Sequence, residues 1–396
     1  MTMRKTPLYY LLMWASLIAG LIFLVMLAPV LYSPEFILSD DFGHFWASGR
    51  LFIDQKNPYD LGLLFSTQVE AGAASTAATS IGSQTLNPPW TLLIFAPFSL
   101  LNYSLARILW LLINITLIVI SIRVFWKFVG GKNHQLWLAL LVTLCFTPTY
   151  SVLSKGQLTP WILLGITGFL LYIEGKTGAW WAGVCLVIVS TKPQLFYLLW
   201  PAFGLWTITK RDWKLLISGS VVGSVAILAT LLVNNQVFSH YFNAIREYPY
   251  DQWATPTVGA YIRFFWLGVD KFWIQYLPAC VGLGWFAFVY LKKGKLWRWS
   301  EPIPALTLVS YLTSPYAWTY DAIIILPSML AATNRLNVLH KTIRTSMWII
   351  FIVINIANLL LHTKLSDFWF VWLAPSFAVW YLAVYLLYQQ RMKAIT

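Results

Sequence analysis

Residues 105–126 read LARILWLLINITLIVISIRVFW, and this run is long and apolar enough to cross a bilayer as one helix. Comparable runs recur along the whole 396-residue chain, which is 59% hydrophobic and only 10% charged. Soluble domains carry roughly 25% charged residues, so a soluble globular fold is excluded. An outer-membrane barrel is disfavoured because its strands would show only about 10-residue alternating segments. The sequence therefore predicts an all-α integral membrane protein.

The apolar runs predict a polytopic helical bundle of about 12 transmembrane helices, with a range of about 11 to about 13. One transmembrane domain is expected to cover residues 1–396. Several of the apolar runs are short and form pairs joined by polar hinges, as broken helices would. Broken helices at membrane depth are tolerated only where they line a cavity within the protein. Residues 88–103 fit either a re-entrant segment or a surface segment. The predicted spans lie near residues 8–31, 105–126, 134–150, 158–173, 177–191, 194–209, 214–234, 272–291, 302–314, 320–333, 345–361 and 368–388.

The net charge of +13 is distributed over short loops between the apolar runs. If the N-terminus is cytoplasmic, the cytoplasmic loops hold 18 of the 27 Lys and Arg residues, and the outer side holds 11 of the 14 acidic residues. This asymmetry is the positive-inside pattern. It predicts a multi-pass protein of a bacterial inner (plasma) membrane whose polar hinges open toward the periplasm or exterior. A nucleic-acid partner is excluded, because no soluble domain gathers the basic residues.

Two long segments are expected to form outer loops. Residues 32–88 form the first, which has an acidic, aromatic front half and a small, polar middle at 71–84. The second covers residues 235–271 and is rich in Tyr, Trp and Pro. The first loop follows the first predicted helix directly, so the helix fixes the depth of its carboxylates at the membrane surface.

The first loop holds the first set of residues that could carry chemistry. The candidates there are Asp40, Asp41, His44, Arg50 and Tyr59. A carboxylate at the membrane surface beside aromatic rings can act as a general base or bind a cation, and the rings can stack on sugars. The alternative is an ordinary acidic loop with an interfacial aromatic belt.

Lys192 interrupts an apolar hairpin and is followed by Pro193 and Gln194. An ionisable residue at membrane depth is a functional candidate, and a lysine suits a phosphate as a compact point charge. Its alternative is a side chain that snorkels to the outer interface.

Further along the chain, Gln157 could bind a hydroxylated ligand or bridge two helices, and Tyr320 precedes Asp321 within an apolar stretch. A carboxylate such as Asp321 is costly there unless it is paired or faces water. By contrast, His240, His340 and His362 are expected in solvated loops. Neither a metal-ligand spacing nor a phosphate-binding glycine loop occurs, so neither a metal nor another cofactor is expected.

These residues occur in an order that resembles glycosyltransferase family 87, the polyprenyl-phosphate-sugar-dependent transferases of the GT-C class. The ordered motifs span residues 41 to about 330, which is most of the chain. They are DFGHFWASGR at 41–50, NPYD at 57–60, NPPW at 87–90, GQ at 156–157, KPQ at 192–194, SPY at 314–316 and YD at 320–321.

The resemblance implies a GT-C-type bundle with a large first periplasmic loop. It also implies an enzyme that moves a hexose, with mannose as the family's best-known sugar, from a polyprenyl-phosphate donor to a hydroxyl of a glycolipid or glycan acceptor. The family's catalytic base is an acidic residue in the first outer loop, which carries over to Asp41 because Phe42 follows it. Some relatives have a histidine where this chain has Tyr320 and Asp321. Lys192 would bind the donor phosphate, since a cation stabilises the charge that develops on the leaving group.

A multi-pass transporter or lipid flippase without chemistry is the alternative function. Intramembrane Lys192 and Asp321 and the broken hairpins suit that class as well. The long acidic loop after the first helix favours the transferase, because a transporter generally does not need one.

Overall fold

The computed structural model describes residues 41–73, 86–248, 253–293, 298–299 and 301–394. The predicted span at 8–31, Asp40 and most of the small, polar stretch at 71–84 lie outside these residues. The described residues are helical and contain no β-strand, which confirms the all-α class.

The α-helices follow one another in short steps along the chain. They are α1 (Asp41–Ile53), α2 (Leu61–Glu70), α3 (Leu92–Ser99), α4 (Tyr103–Phe128), α5 (Leu136–Cys145), α6 (Thr147–Ser154), α7 (Thr159–Ile173), α8 (Ala179–Val189), α9 (Leu199–Lys210), α10 (Trp213–Val233), α11 (Val237–Glu247), α12 (Val258–Ile262), α13 (Leu277–Lys293), α14 (Pro302–Leu312), α15 (Leu326–Leu336), α16 (Lys341–His362) and α17 (Leu373–Lys393). Short 3₁₀ segments at Pro193–Phe196, Phe272–Tyr276, Thr319–Ile325 and Asp367–Trp372 precede α9, α13, α15 and α17.

Five helices are long and apolar enough to cross a membrane among the residues described. They are Tyr103–Phe128, Trp213–Val233, Phe272–Lys292, Lys341–His362 and Asp367–Lys393. A sixth crossing is possible if α5 and α6, which are bent by 64° at their junction, form one broken span. The chain is therefore a helical, multi-pass membrane protein.

The predicted count of about 12 spans is not confirmed, although each predicted span within the described residues matches a helix or helix pair. The difference lies in helix length. For example, α7 has 15 residues and α8 has 11, so they extend about 22 Å and about 16 Å. The apolar core of a bilayer is about 30 Å thick. Polar hinges end these helices early, and a proline restarts the helix after several of them, such as Pro160 in α7.

Among the residues described, the helices enclose two hydrophobic cores. The larger core joins residues of α4 through α10 to residues of α13 through α17. Within it, α8 and α10 approach so closely that a Cβ on Gly183 would lie 2.7 Å from the Ser218 carbonyl carbon. Small residues allow such close helix contacts in membranes, where packing replaces the hydrophobic effect as the driving force.

The smaller core holds the first segment expected to be a loop. Residues 41–53 and 61–70 are instead helical, and α1 packs against α3. Phe45 of α1 stacks on Phe95 of α3 with the ring centroids 4.5 Å apart. The 88–103 segment thus contains a short helix that supports α1. The second expected loop, 235–271, is also partly helical, in α11, α12 and a π-helical turn at Arg263–Leu267.

Candidate active site

A cavity of about 1280 Å³ opens between the ends of the short helices. Six of the residues singled out from the sequence line it: Asp41 and His44 on α1, Gln157 in the hinge after α6, Lys192 and Gln194 after α8, and Tyr320 before α15. These residues are far apart in the chain. The broken helices therefore bring their polar hinges to one place, as the hinge pattern predicts.

The hinge after α6 is held in place by α4. Gly156 has a φ of 63°, in the left-handed region that glycine adopts at no steric cost. The Trp110 indole donates to the Gly156 carbonyl over 2.7 Å, and the Asn114 amide donates to the Gln157 carbonyl over 3.1 Å. Trp110 and Asn114 are one turn apart on α4, so one rigid helix fixes the backbone that carries the Gln157 side chain.

Gln157 connects Asp41 to Lys192. Its amide nitrogen Nε2 donates to Asp41 Oδ2 over 2.6 Å, and its amide oxygen Oε1 accepts from Lys192 Nζ over 2.9 Å. The two charges set the orientation of the amide, because a carboxylate needs a donor and an ammonium needs an acceptor. One amide spans only about 2.3 Å between its oxygen and nitrogen. Asp41 Oδ2 and Lys192 Nζ are therefore held within about 8 Å of each other.

Lys192 also forms a buried ion pair. Its Nζ donates to Asp321 Oδ1 over 2.8 Å, and the Lys192 and Asp321 residues are 8% and 1% exposed. Asp321 is further held by the Thr159 hydroxyl at 2.8 Å and the Trp318 backbone N–H at 3.1 Å. The Tyr320 ring lies 5.1 Å from Nζ, within cation–π range. Lys192 thus points into the protein rather than snorkelling, and the paired state expected of an intramembrane Asp321 is observed. We call Asp41, Gln157, Lys192 and Asp321 the Lys192 network.

His44 lies one turn from Asp41 on α1 and lines the same cavity. The Gln68 amide nitrogen donates to its Nδ1 over 3.1 Å. Burial lowers the pKa of His44 from its ordinary 6.5, and the Asp41 carboxylate raises it by a smaller amount. The imidazole is therefore neutral at pH 7, which leaves the Asp41 carboxylate without a cation on its own helix face.

Of the remaining predicted site residues that the structure describes, only one lines the cavity. Gln194 lines the cavity. Arg50 is exposed and pairs with Asp54 over 3.2 Å, away from the cavity wall. Tyr59 is buried and its hydroxyl donates a hydrogen bond to the Asn87 carbonyl over 3.2 Å. Asn87 lines the cavity and Tyr59 does not, so Tyr59 stabilises a residue of the wall without facing the cavity itself.

Sequence reasoning missed a second polar part of the wall. Thr147, Asn358, His362 and Asp367 line the cavity together. The expectation that His240 and His362 lie in solvated loops is wrong, because His240 is within α11 and His362 ends α16 with its Nδ1 buried. In the sequence, this part of the wall is marked only by His362 and Asp367, which lie at the ends of two apolar runs. Polar residues at such positions are also typical of an ordinary membrane interface. Among the residues described, no three His, Cys, Asp or Glu side chains group as metal ligands would.

The fold and site define a polytopic helical membrane protein whose broken helices converge on a carboxylate and an ammonium at one cavity. A family model for glycosyltransferase family 87 matches residues 86–315, more than half of the chain, and the chain belongs to this family. It is therefore a membrane glycosyltransferase. No curated protein and no solved structure matches the chain. The matched range contains Gln157 and Lys192, whereas Asp41 and Asp321 flank it.

Proposed function

We propose that this glycosyltransferase transfers a hexose, mannose in the first instance, from a polyprenyl-phosphate donor to a hydroxyl of a glycolipid or glycan acceptor. The observation that carries the proposal is the single glutamine that joins the Asp41 carboxylate to the Lys192 ammonium at the cavity wall. A proton acceptor and a phosphate-binding cation are the two groups that such a transfer needs close together.

Asp41 acts as the general base in this proposal. The acceptor hydroxyl has a high pKa, so Asp41 takes its proton as the hydroxyl oxygen bonds to the anomeric carbon. The bond from that carbon to the phosphate oxygen breaks at the same time, and a polyprenyl monophosphate leaves. Asp41 is half-buried and lines the cavity, and Gln157 fixes its carboxylate through one of its two oxygens.

Lys192 stabilises the leaving phosphate. Within the described residues its ammonium donates to Gln157 and Asp321, which are two of the three hydrogen bonds that an ammonium can make. The third N–H suits a phosphate oxygen. The two existing bonds hold the cation in position before the donor arrives, so its side chain loses little further freedom on binding.

The same proposal places the active site on the outer face of a bacterial inner membrane. The supporting observation is the charge distribution, with 18 of the 27 basic residues in loops assigned to the cytoplasm. It also places Asp41 at the depth of the phosphate of a membrane-bound donor. Residues 32–88 then form the catalytic outer segment, residues 235–271 a second outer segment, and residues 1–396 one catalytic domain.

The proposal is tested with the purified chain in lipid vesicles that contain a radiolabelled polyprenyl-phosphate hexose. We expect release of polyprenyl monophosphate together with labelled product when total membrane glycolipids are supplied as acceptors. A parallel reaction with the matching nucleotide sugar is the control and should give no product. Turnover of the nucleotide sugar, with the lipid-linked donor left intact, would overturn the proposed donor class.

A further inference from the structure

The second polar part of the wall, made by Thr147, Asn358, His362 and Asp367, has no role in the chemistry proposed above. We call it the His362 cluster. It joins the start of α6 to the end of α16 and to the 3₁₀ segment that follows. All four residues line the same cavity as Asp41 and Lys192.

Asn358 presents a buried hydrogen-bond acceptor that has no partner among the described residues. Its Nδ2 donates to the Thr147 hydroxyl over 2.7 Å, and that hydroxyl in turn donates to Asn355 Oδ1 over 3.0 Å. These bonds fix the Asn358 amide with its nitrogen toward Thr147. The residue is only 2% exposed, and its Oδ1 is buried without a hydrogen bond.

His362 and Asp367 add two further polar groups beside it. The His362 ring packs against Phe370 with the centroids 4.9 Å apart, and its Nδ1 is buried without a hydrogen bond among the described residues. Asp367 accepts from both the backbone N–H, at 3.1 Å, and the hydroxyl of Thr319. Thr319 directly precedes Tyr320, so the Asp367 carboxylate is fixed relative to the Lys192 network.

The chemistry of these groups favours hydroxyls. An amide oxygen and a carboxylate accept hydrogen bonds, and an imidazole nitrogen can accept one or donate one. A buried acceptor without a partner costs free energy until a donor meets it. A site built in this way selects ligands with correctly placed hydroxyls and rejects analogues that lack them. Lys155 also lines the cavity and interacts electrostatically with His362 and Asp367, so this part of the wall offers a donor as well as acceptors, which suits hydroxyls.

We propose that the His362 cluster is the acceptor subsite and that it binds the hydroxyls of a sugar ring in that acceptor. This inference rests on the proposed function. The Lys192 network holds the base and the phosphate cation within about 8 Å, so the donor sugar reacts there. The cavity, at about 1280 Å³, exceeds the roughly 300–1,000 Å³ of a typical single-ligand pocket, which leaves space for a second molecule.

The test compares His362→Phe and Asn358→Leu with the wild type in lipid vesicles, with n-octyl glucoside, mannoside and galactoside as acceptor probes. The matched control is His340→Phe, the same substitution at the exposed start of α16. We expect both cluster variants to raise the KM of the accepted octyl hexoside about tenfold. The donor KM and the slow hydrolysis of donor in the absence of acceptor should stay within about twofold of the wild type.

The outcomes separate this inference from the proposed function. A wild type that does not consume the lipid-linked donor contradicts the proposed function itself. A wild type that hydrolyses the donor but uses none of the octyl hexosides overturns the sugar-acceptor subsite. An unchanged acceptor KM, or a donor KM that rises by the same factor, overturns it as well. If Asn358→Leu fails to fold, His362→Phe carries the test, because phenylalanine retains the ring contact with Phe370.

Discussion

The Lys192 network and the His362 cluster lie on the wall of one cavity but differ in how their polar atoms are satisfied. In the network, Asp41, Gln157, Lys192 and Asp321 contact one another in sequence. In the cluster, Asn358 and His362 each keep a buried atom without a hydrogen bond among the described residues. The network pairs its charged groups with one another, whereas the cluster leaves polar atoms without partners among the described residues.

The difference indicates two kinds of site. Charged groups buried inside a protein must be paired to be tolerated, so the network is preorganised before any ligand binds. Neutral hydrogen-bonding atoms can remain unpaired at a moderate cost, and they gain their partners from a ligand. We therefore expect variants of the buried Lys192–Asp321 pair to affect donor binding and folding together, whereas variants of the cluster should act mainly on acceptor binding.

The largest effect is expected for Asp41→Asn. Asparagine retains an oxygen that can accept from Gln157 but cannot take a proton, so transfer should fall about 100- to 10,000-fold while the donor KM changes little. The matched control is Asp54→Asn, which removes an exposed pair with Arg50 and should leave the rate unchanged. Asp40→Asn is expected to be much milder than Asp41→Asn. Steady-state rates with labelled donor measure all three, and full activity of Asp41→Asn would remove the base from the network.

A large loss of stability is expected next, for Lys192→Ala. The sequence alone predicts that this variant weakens donor use far more than folding, whereas the buried ion pair with Asp321 predicts a large folding defect as well. Removing one partner leaves a buried, uncompensated carboxylate, which costs about 3–5 kcal/mol. The double variant Lys192→Met with Asp321→Asn should recover most of the loss. Thermal unfolding in detergent compares the two, and a double variant that is no more stable than Lys192→Ala would contradict the pairing.

That double variant also measures the contribution of Lys192 to donor binding without the folding defect. Losing one charge-assisted contact to a phosphate should cost roughly 1.5–3 kcal/mol, or about 10- to 150-fold in donor KM. Competition by polyprenyl monophosphate should weaken in parallel, since product and donor share the phosphate. If both values match the wild type, the phosphate binds elsewhere in the cavity.

The smallest effect concerns His44 and pH. Because burial lowers its pKa below 6.5, the unfolded chain takes up a proton first as the pH falls. Stability should therefore decline as the pH falls below 6.5 and level off once the folded protein also protonates. His44→Gln, which keeps a polar partner for Gln68, should show a shallower decline. Melting temperatures of both proteins from about pH 7 to about pH 5 test this, and identical slopes would show that His44 does not contribute.

The helices were predictable to within a few residues, as in the prediction of 105–126 for the observed Tyr103–Phe128. Hydropathy marks where apolar segments begin and end. Hydropathy does not reveal whether an apolar segment crosses the membrane completely. It therefore predicts spans at α7 and α8, although each helix is shorter than the apolar core of a bilayer is thick.

The candidate site was predictable where a polar residue interrupts an apolar stretch. Gln157, Lys192 and Asp321 are predictable for this reason, and Asp41 as an acidic residue of the first expected outer loop. The contacts between these residues were not predictable from the sequence. For example, Lys192 and Asp321 are 129 positions apart, and no local pattern links them. His362 was missed because a histidine at the end of a span is also typical of a solvated interface.

In the proposed reaction, Asp41 deprotonates the acceptor and the acceptor oxygen displaces the lipid phosphate directly. The other carboxylate of the network, Asp321, is 1% exposed and bonded to Lys192, Thr159 and the Trp318 backbone, so it is not placed to attack the sugar. The most direct measurement is the anomeric configuration of the product, determined by NMR, relative to that of the donor. One displacement assisted by a base predicts inversion. Retention would require a covalent or second displacement step and would contradict a direct displacement assisted by Asp41.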